Sequence, residues 1–365
     1  MLGAGHCISS RVQHPTDHIF HHTPDSLKAW FADRRLPGFR AKQVLEWVYR
    51  KGVADPTAMS NLAKRDRDLL AADMTFLSGE TITHQLATDG TQKLLIEWDD
   101  PRVPSVSAGP SASDGPSHPL PLLPSGLKTQ DSGLSPDRQT ECVMIPSEDQ
   151  TKTRRTACLS SQVGCPVGCK FCASGLGGLD GNLSAGRIVE QVWRLNEVLT
   201  GRGLSGPESS TSGRNTLGPD SAPQTRGLKG PAPKGSPAPD APRITNIVFM
   251  GMGEPLANFA EVVHAVRTIA APWGLGISAR KITISTVGLP QAITRLTTEL
   301  DLPVTLALSL HAPNDELRRE LIPWAEYSTI RELLAACQGW FKKAGREITL
   351  EYILLGGLND RPEHA

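Results

Sequence analysis

The sequence lacks any apolar run near the ~18 residues that a membrane span requires. Its opening, Met1 to His22, also lacks the charged-then-apolar layout of a secretory signal. No membrane association is expected, and the cytoplasm is the expected location. Cysteine is scarce, 7 in 365 residues, too few for a disulfide scaffold in a chain this long. Net charge is absent too, because 38 Lys and Arg balance 38 Asp and Glu. That removes the case from overall charge for nucleic-acid or anionic-membrane binding and leaves local patches.

Glycine and proline, by contrast, are plentiful at 34 and 29. They concentrate in 101–137 and 201–242, and Gly, Pro and Ser supply 22 of the 42 residues of the second stretch. Neither stretch contains Phe, Trp or Tyr, so neither can bury enough surface to offset the entropy of ordering. Both read as disordered insertions at surface connections, and the first 22 residues read as a disordered N-terminus.

Residues 23–78 read as a helical domain, with Leu27, Trp30 and Phe31 on one face and Val44, Leu45, Val48 and Tyr49 on another after Pro37-Gly38. Residues 79–100 and 138–150 read as a β segment: a hairpin turning at Asp89-Gly90, joined by a short strand Glu141–Ile145. From 151 to 365, interrupted by the second insertion, strands alternate with helices. Strands are expected at 155–160, 244–250, 281–286, 303–310 and 347–355. The helices between them include one capped by Ser184, with Ile188, Val192, Leu195 and Leu199 in one stripe, and further helices at 259–270, 289–300 and 330–344. This texture predicts an α/β fold with a parallel sheet, as an open sheet or a barrel. Five parallel strands are countable, and the sequence stops shortly after the fifth.

Three of the cysteines crowd into Cys165-Pro-Val-Gly-Cys169-Lys-Phe-Cys172, near enough to converge on one soft metal centre in a reducing compartment. A structural zinc site normally closes with four protein ligands, whereas an iron–sulfur cluster on three cysteines leaves one iron open to a small molecule. Zinc completed by Cys158 or a histidine, and unligated thiols, are the alternative readings.

This C-x3-C-x2-C at the end of the first strand of an alternating domain resembles the radical S-adenosylmethionine superfamily. The order of Ala157-Cys158-Leu-Ser-Ser-Gln-Val-Gly164, Met250-Gly-Met-Gly253-Glu254-Pro-Leu256, Ser285-Thr-Val-Gly288 and Leu308-Ser309-Leu310-His311-Ala-Pro-Asn-Asp315 resembles the RlmN/Cfr family of ribosomal RNA adenine methyltransferases. The helical start with Leu36-Pro-Gly-Phe-Arg40 is similar to that family's accessory domain. The resemblance implies a partial (βα)6-type barrel whose sixth strand is missing. It also implies a [4Fe-4S] cluster on Cys165, Cys169 and Cys172, and S-adenosylmethionine as the cofactor carrying the difficult chemistry.

Gly253, Glu254, Ser285, Ser309, Leu310 and His311 are then the cofactor-binding positions. All fall at strand ends, where ligands of parallel α/β domains bind. Taken alone, Glu254 could be a solvated acid after a glycine turn, and His311 a satisfied loop histidine. Glu141 matches the family's general base, or else is an exposed acid at a strand start, and the loop around Lys152–Arg155 is expected to be longer than in the family. Cys158 matches the cysteine that resolves the covalent RNA adduct by disulfide formation with a methyl-carrying cysteine near the carboxyl terminus. The sequence holds no such cysteine: Cys337 falls within a helix, and Cys7 and Cys142 are misplaced. The 365 residues therefore read as a fragment, a truncated product or a silent homologue.

The implied substrates are 23S rRNA and tRNA, methylated at C2 of adenine, with C8 as the Cfr alternative. Flavodoxin or ferredoxin is the implied reductant, and a monomer is expected. Basic residues from Arg34 to Arg67, with Trp30, Trp47 and Tyr49 nearby, suit RNA phosphates and bases, or else form a solvated face, since acidic residues interleave them.

Overall fold

A computed structural model describes residues 14–99, 138–149, 152–201 and 241–364. Both expected insertions lie outside the described residues, save their few flanking positions.

The N-terminal helices form where the periodicity places them. Helix α1 (Pro24–Asp33) starts on a capping box between Thr23 and Ser26, carries Pro at its first position and buries Leu27, Trp30 and Phe31. Helix α2 (Arg40–Leu45) runs on into a wider π turn at Glu46–Arg50, and α3 (Lys64–Asp73) follows. The expected disorder of the first 22 residues is corrected from residue 14 onward. Ile19 N–H donates to Thr75 O at 2.9 Å, Thr75 N–H donates to Asp17 O at 2.8 Å, and Ile19 and Phe20 are fully buried. The sequence signal was thin because this segment has only a few apolar residues and no helical period.

The hairpin β1 (Gly79–Leu86) and β2 (Gln92–Trp98) turns at Asp89-Gly90, where Gly90 takes φ 83°. Strand β3 (Gln139–Asp149) extends well past the expected short strand, and it pairs antiparallel with β2 and with β4 (Lys152–Cys158). Two expectations are thereby corrected. Lys152–Arg155 belong to a strand rather than a loop, and the β segment shares one sheet with the parallel strands. It continues through β4 into the parallel strands β7 (Asn246–Phe249), β8 (Ile282–Thr286), β9 (Thr305–Ser309) and β10 (Ile348–Glu351). A single eight-stranded sheet results, in the order β1-β2-β3-β4-β7-β8-β9-β10. A separate two-stranded sheet pairs β5 (Gln162–Gly164) with β6 (Leu179–Asn182).

Helices α4 (Ala185–Leu199), α5 (Phe259–Ala270), α6 (Pro290–Glu299) and α8 (Ile330–Ala344) agree with the sequence pattern; α7 (Asp315–Leu321) is additional. One apolar core runs from Ile19 through β2 and α4 to Trp340, so the N-terminal helices, the antiparallel strands and the parallel strands share it.

The two faces of the parallel strands differ, as alternation requires. Ala157, Ile247, Phe249, Ile282, Ile284, Leu306 and Leu308 point one way and are buried. The register aligns Cys158, Val248, Thr283 and Thr305 across the other face, and Ser285 with Ala307 and Ser309 with Glu351 beyond them. Among the described residues no helix is long and apolar enough to cross a membrane.

Candidate functional site

The cysteines sit on a loop whose stem is the β5–β6 pair. Gly164 closes the stem at φ 74°, where a Cβ would lie 2.0 Å from the Gly178 carbonyl oxygen, so only glycine lets the two strands meet there. Cys165 N–H then donates to Gly178 O at 2.9 Å, and Cys172 N–H to Cys169 O at 3.0 Å. The loop packs on a second apolar cluster of Val167, Ala312, Leu321, Ile322, Trp324 and Ala325, which presses it against the strand ends. Lys170 N–H donates to Leu321 O at 3.0 Å, and the Phe171 ring meets the His311 ring edge-on at 4.9 Å.

Cys165, Cys169 and Cys172 are free and partly buried. Burial pushes the Cys165 thiol up to about 11 and the Cys169 thiol up to about 12, and each is also affected by Cys172 and Glu254. Such thiols are protonated near neutral pH, and a cation among them would favour their thiolate forms. Among the described residues no three His, Cys, Asp or Glu side chains converge to hold a single ion. A four-iron cluster makes a different demand, because each cysteine goes to a different iron.

Glu254 follows β7 and is buried. Its Oε1 accepts from Leu256 N–H at 2.9 Å and its Oε2 from Val287 N–H at 2.8 Å, so it is no solvated acid. Burial nevertheless raises its pKa, against the pull of those N–H groups. Gly253 takes φ 102°, and a Cβ there would come 2.6 Å from Gln162 Cβ, the side chain that accepts Glu254 N–H at 2.8 Å through Oε1. Ser285 and Ser309 are 3.4 Å apart through their hydroxyl oxygens at the ends of β8 and β9. Leu310 and His311 both donate N–H to the Glu351 carbonyl, at 3.0 and 3.2 Å. His311 adopts a left-handed φ of 57°, and its Nδ1 accepts from Ile353 N–H at 3.1 Å. Its pKa falls to about 4 through burial and the nearby Arg318. The loop-histidine reading therefore describes one of its two ring nitrogens.

Cys158 lies one strand over, at the end of β4 between Val143 and Val248, with its thiol pushed up to about 11 by burial. Because β3 runs antiparallel to β4, the start of β3 lies beside the same end. The Glu141 carbonyl accepts from Ser160 Oγ at 2.6 Å, and Ser160 Oγ accepts from Met252 N–H at 3.1 Å. The Glu141 side chain is 44% exposed and meets Lys93 Nζ at 2.9 Å, a more open setting than a water-shielded base requires. Cys142, its neighbour, faces the core and is fully buried.

Three residues of this region carry no sequence signal of their own. Glu351 Oε2 accepts from both Ser285 and Ser309. Arg318, buried on α7, donates to the carbonyls of Leu310, Ser309 and Val287 and so ties two strand ends together. Lys93 pairs with Glu141. Each is an ordinary charged residue in sequence, and only the pairing of β10 with β9, the docking of α7 and the pairing of β2 with β3 bring it to its partners.

Comparison with known proteins bears on the fold and the family. The family described as "Ribosomal RNA large subunit methyltransferase N-terminal domain" matches residues 18–75, which start inside the segment expected to be disordered. The chain is 34% identical over 349 residues to a probable dual-specificity RNA methyltransferase RlmN of Rhodopirellula baltica, covering 96% of this chain and 72% of the relative. It is 38% identical over 336 residues to the probable counterpart from Symbiobacterium thermophilum, covering 92% and 69%. The crystal structure of a radical SAM methyltransferase from Sphaerobacter thermophilus matches with TM-score 0.70 at 30% identity, over 95% of this chain and 79% of that one. Identity at this level across most of both chains, on the same fold, is common descent: the chain belongs to the RlmN family of radical S-adenosylmethionine RNA methyltransferases.

Proposed function

We propose that this chain methylates C2 of adenine in 23S rRNA and in tRNA, using a [4Fe-4S] cluster and S-adenosylmethionine. The observation that carries the reading is the set of three free, half-buried thiols on a glycine-closed loop packed against the polar strand ends. The donor set fits the cluster: soft sulfur ligands, three in number, in a pocket that disfavours their charge until a cation offsets it. When bound, the cluster and its cofactor supply the one-electron chemistry that activates a C–H bond.

The protein's own groups then have separable tasks. Cys165, Cys169 and Cys172 would hold the cluster, and Glu254 would accept from the cofactor's ammonium. Ser285, Ser309, Leu310 and His311 would line the cofactor's other side. Glu141 would accept the proton leaving adenine C2, with Lys93 keeping its carboxylate aimed; an RNA docked over it would supply the shielding from water that a general base needs. Cys158 would resolve the adduct by disulfide formation with a methyl-carrying cysteine. Among the cysteines described here neither Cys142 nor Cys337 is free for that role, because both are buried. The target adenine must leave its stack to be reached.

The test is nucleoside mass spectrometry of an rRNA fragment incubated anaerobically with the reconstituted protein. A polypeptide of these 365 residues alone is expected to leave adenine unmodified, and the same chain fused to the carboxyl-terminal segment of an RlmN relative to produce 2-methyladenosine. 8-Methyladenosine would favour a Cfr-type reaction instead, and no product from a cluster-loaded fusion would overturn the reading.

A further inference from the structure

Glu351 ends β10 in register with Ser309 on β9. Its Oε2 accepts from Ser285 Oγ at 3.1 Å and from Ser309 Oγ at 3.1 Å. Two consequences follow from donor counting. A serine hydroxyl has one proton, so a serine that donates to Glu351 can offer only lone pairs elsewhere. Among the described residues, Glu351 Oε1 has no hydrogen-bond partner. One carboxylate oxygen and the lone pairs of two hydroxyls thus remain for a ligand at neighbouring strand ends, with the backbone N–H groups of Leu310 and His311 already bound to the Glu351 carbonyl. A cluster of acceptors around a fixed negative charge recognises a ligand bearing adjacent O–H donors.

We propose that Glu351 is a binding residue for the ribose hydroxyls of the nucleoside cofactor, and that it sets Ser285 and Ser309 as acceptors for the same ligand. This rests on the reading of these strand ends as the mouth of the S-adenosylmethionine site. The underlying chemistry is general: a carboxylate at the end of a strand in α/β nucleotide-binding folds accepts ribose O–H, and a charge-assisted bond of this kind is stronger than a neutral one.

The experiment is a binding cycle on the full chain with its cluster reconstituted, using S-adenosylhomocysteine and its 2′,3′-dideoxy analogue as probes in equilibrium dialysis. Iron and sulfide content and the melting temperature are recorded for each variant. Glu351→Gln is expected to weaken S-adenosylhomocysteine binding about 10-fold or more, as loss of a charged hydrogen bond does, with iron and sulfide unchanged. Removing the hydroxyls from the ligand is expected to weaken the wild-type protein by a similar factor and the variant by little more. Multiplicative losses would show that carboxylate and hydroxyls act independently and would overturn the proposal, as would unchanged affinity in Glu351→Gln. Should Glu351→Gln lose its cluster or melt early, Glu351→Asp is the second variant; it keeps the charge and is expected to retain the coupling with the hydroxyls, and its absence would contradict the proposal. Failure of the cluster-loaded wild-type protein to bind either probe would instead remove the reading of the mouth on which the proposal stands.

Discussion

Two glutamates mark the difference between a region that holds the fold and a region that faces a ligand. Glu190, on α4, is fully enclosed, and both of its oxygens are taken by protein donors. Arg194 Nε reaches Oε1 at 2.8 Å, Ser78 Oγ and N–H reach Oε2 at 2.8 and 3.0 Å, and His18 Nε2 lies 3.2 Å from Oε2. The knot fastens the N-terminal segment, the start of the hairpin and α4 to one another. Glu351 is half-buried, uses one oxygen on two hydroxyls and leaves the other without a protein partner among the described residues. The same functional group is structural where the protein satisfies it completely and available where it does not.

That contrast can be broken by mutation. Glu190→Ala removes the carboxylate that accepts from Arg194 and from the Ser78 N–H and hydroxyl and that faces buried His18, and is expected to cost about 3–5 kcal/mol in urea unfolding. Glu351→Ala is expected to stay within about 1 kcal/mol of wild type, because water can replace the carboxylate in the open mouth. Comparable costs at the two positions would erase the distinction drawn here.

Acid sharpens the same comparison with a smaller effect than outright removal of Glu190. Burial alone would raise the Glu190 pKa, but Arg194, His18 and the Ser78 N–H outweigh it and hold it down, from the ordinary 4.5 to about 2. A carboxylate whose folded value is depressed contributes stability that is fully present above its unfolded value and is lost as pH falls through the folded one. The knot should therefore hold at full strength above pH 4.5 and weaken progressively toward pH 2. Unfolding midpoints measured across this window should fall more steeply for wild type than for Glu190→Gln, and parallel curves would assign the acid sensitivity to other groups.

Much of the parallel half of the fold is legible in sequence because each strand and helix carries its own period. Helix α8 spans Ile330–Ala344, with a Thr329–Glu332 capping box at its start and Gly345 at its end. The order Cys165, Gly253, Ser285, Ser309 also reads directly as successive strand ends once a parallel sheet is assumed. What periodicity does not reveal is burial by a third layer. Arg187, Glu190, Gln191 and Arg194 lie outside the apolar stripe of α4, yet all four are buried, since N-terminal residues and the hairpin close over that face. The continuity of β3 into β4 was hidden for a different reason: only two residues separate the strands, and the polar, charged run 148–155 at their junction carries no strand pattern, so the antiparallel and parallel halves look separate in the sequence. Glu351 and Arg318 stayed unseen because a charged residue at a strand end or on a short helix has no pattern until its neighbours in space are known.

The central claim is that Cys165, Cys169 and Cys172 hold an iron–sulfur cluster with one iron open to S-adenosylmethionine. Its most direct test is electron paramagnetic resonance of the reduced, anaerobically reconstituted chain, with metal and sulfide analysis of the same sample. About four irons and four sulfides per chain are expected, with a signal that shifts on adding S-adenosylmethionine and is abolished in Cys169→Ala. Stoichiometric zinc, or a cluster whose signal is indifferent to S-adenosylmethionine, would contradict the claim.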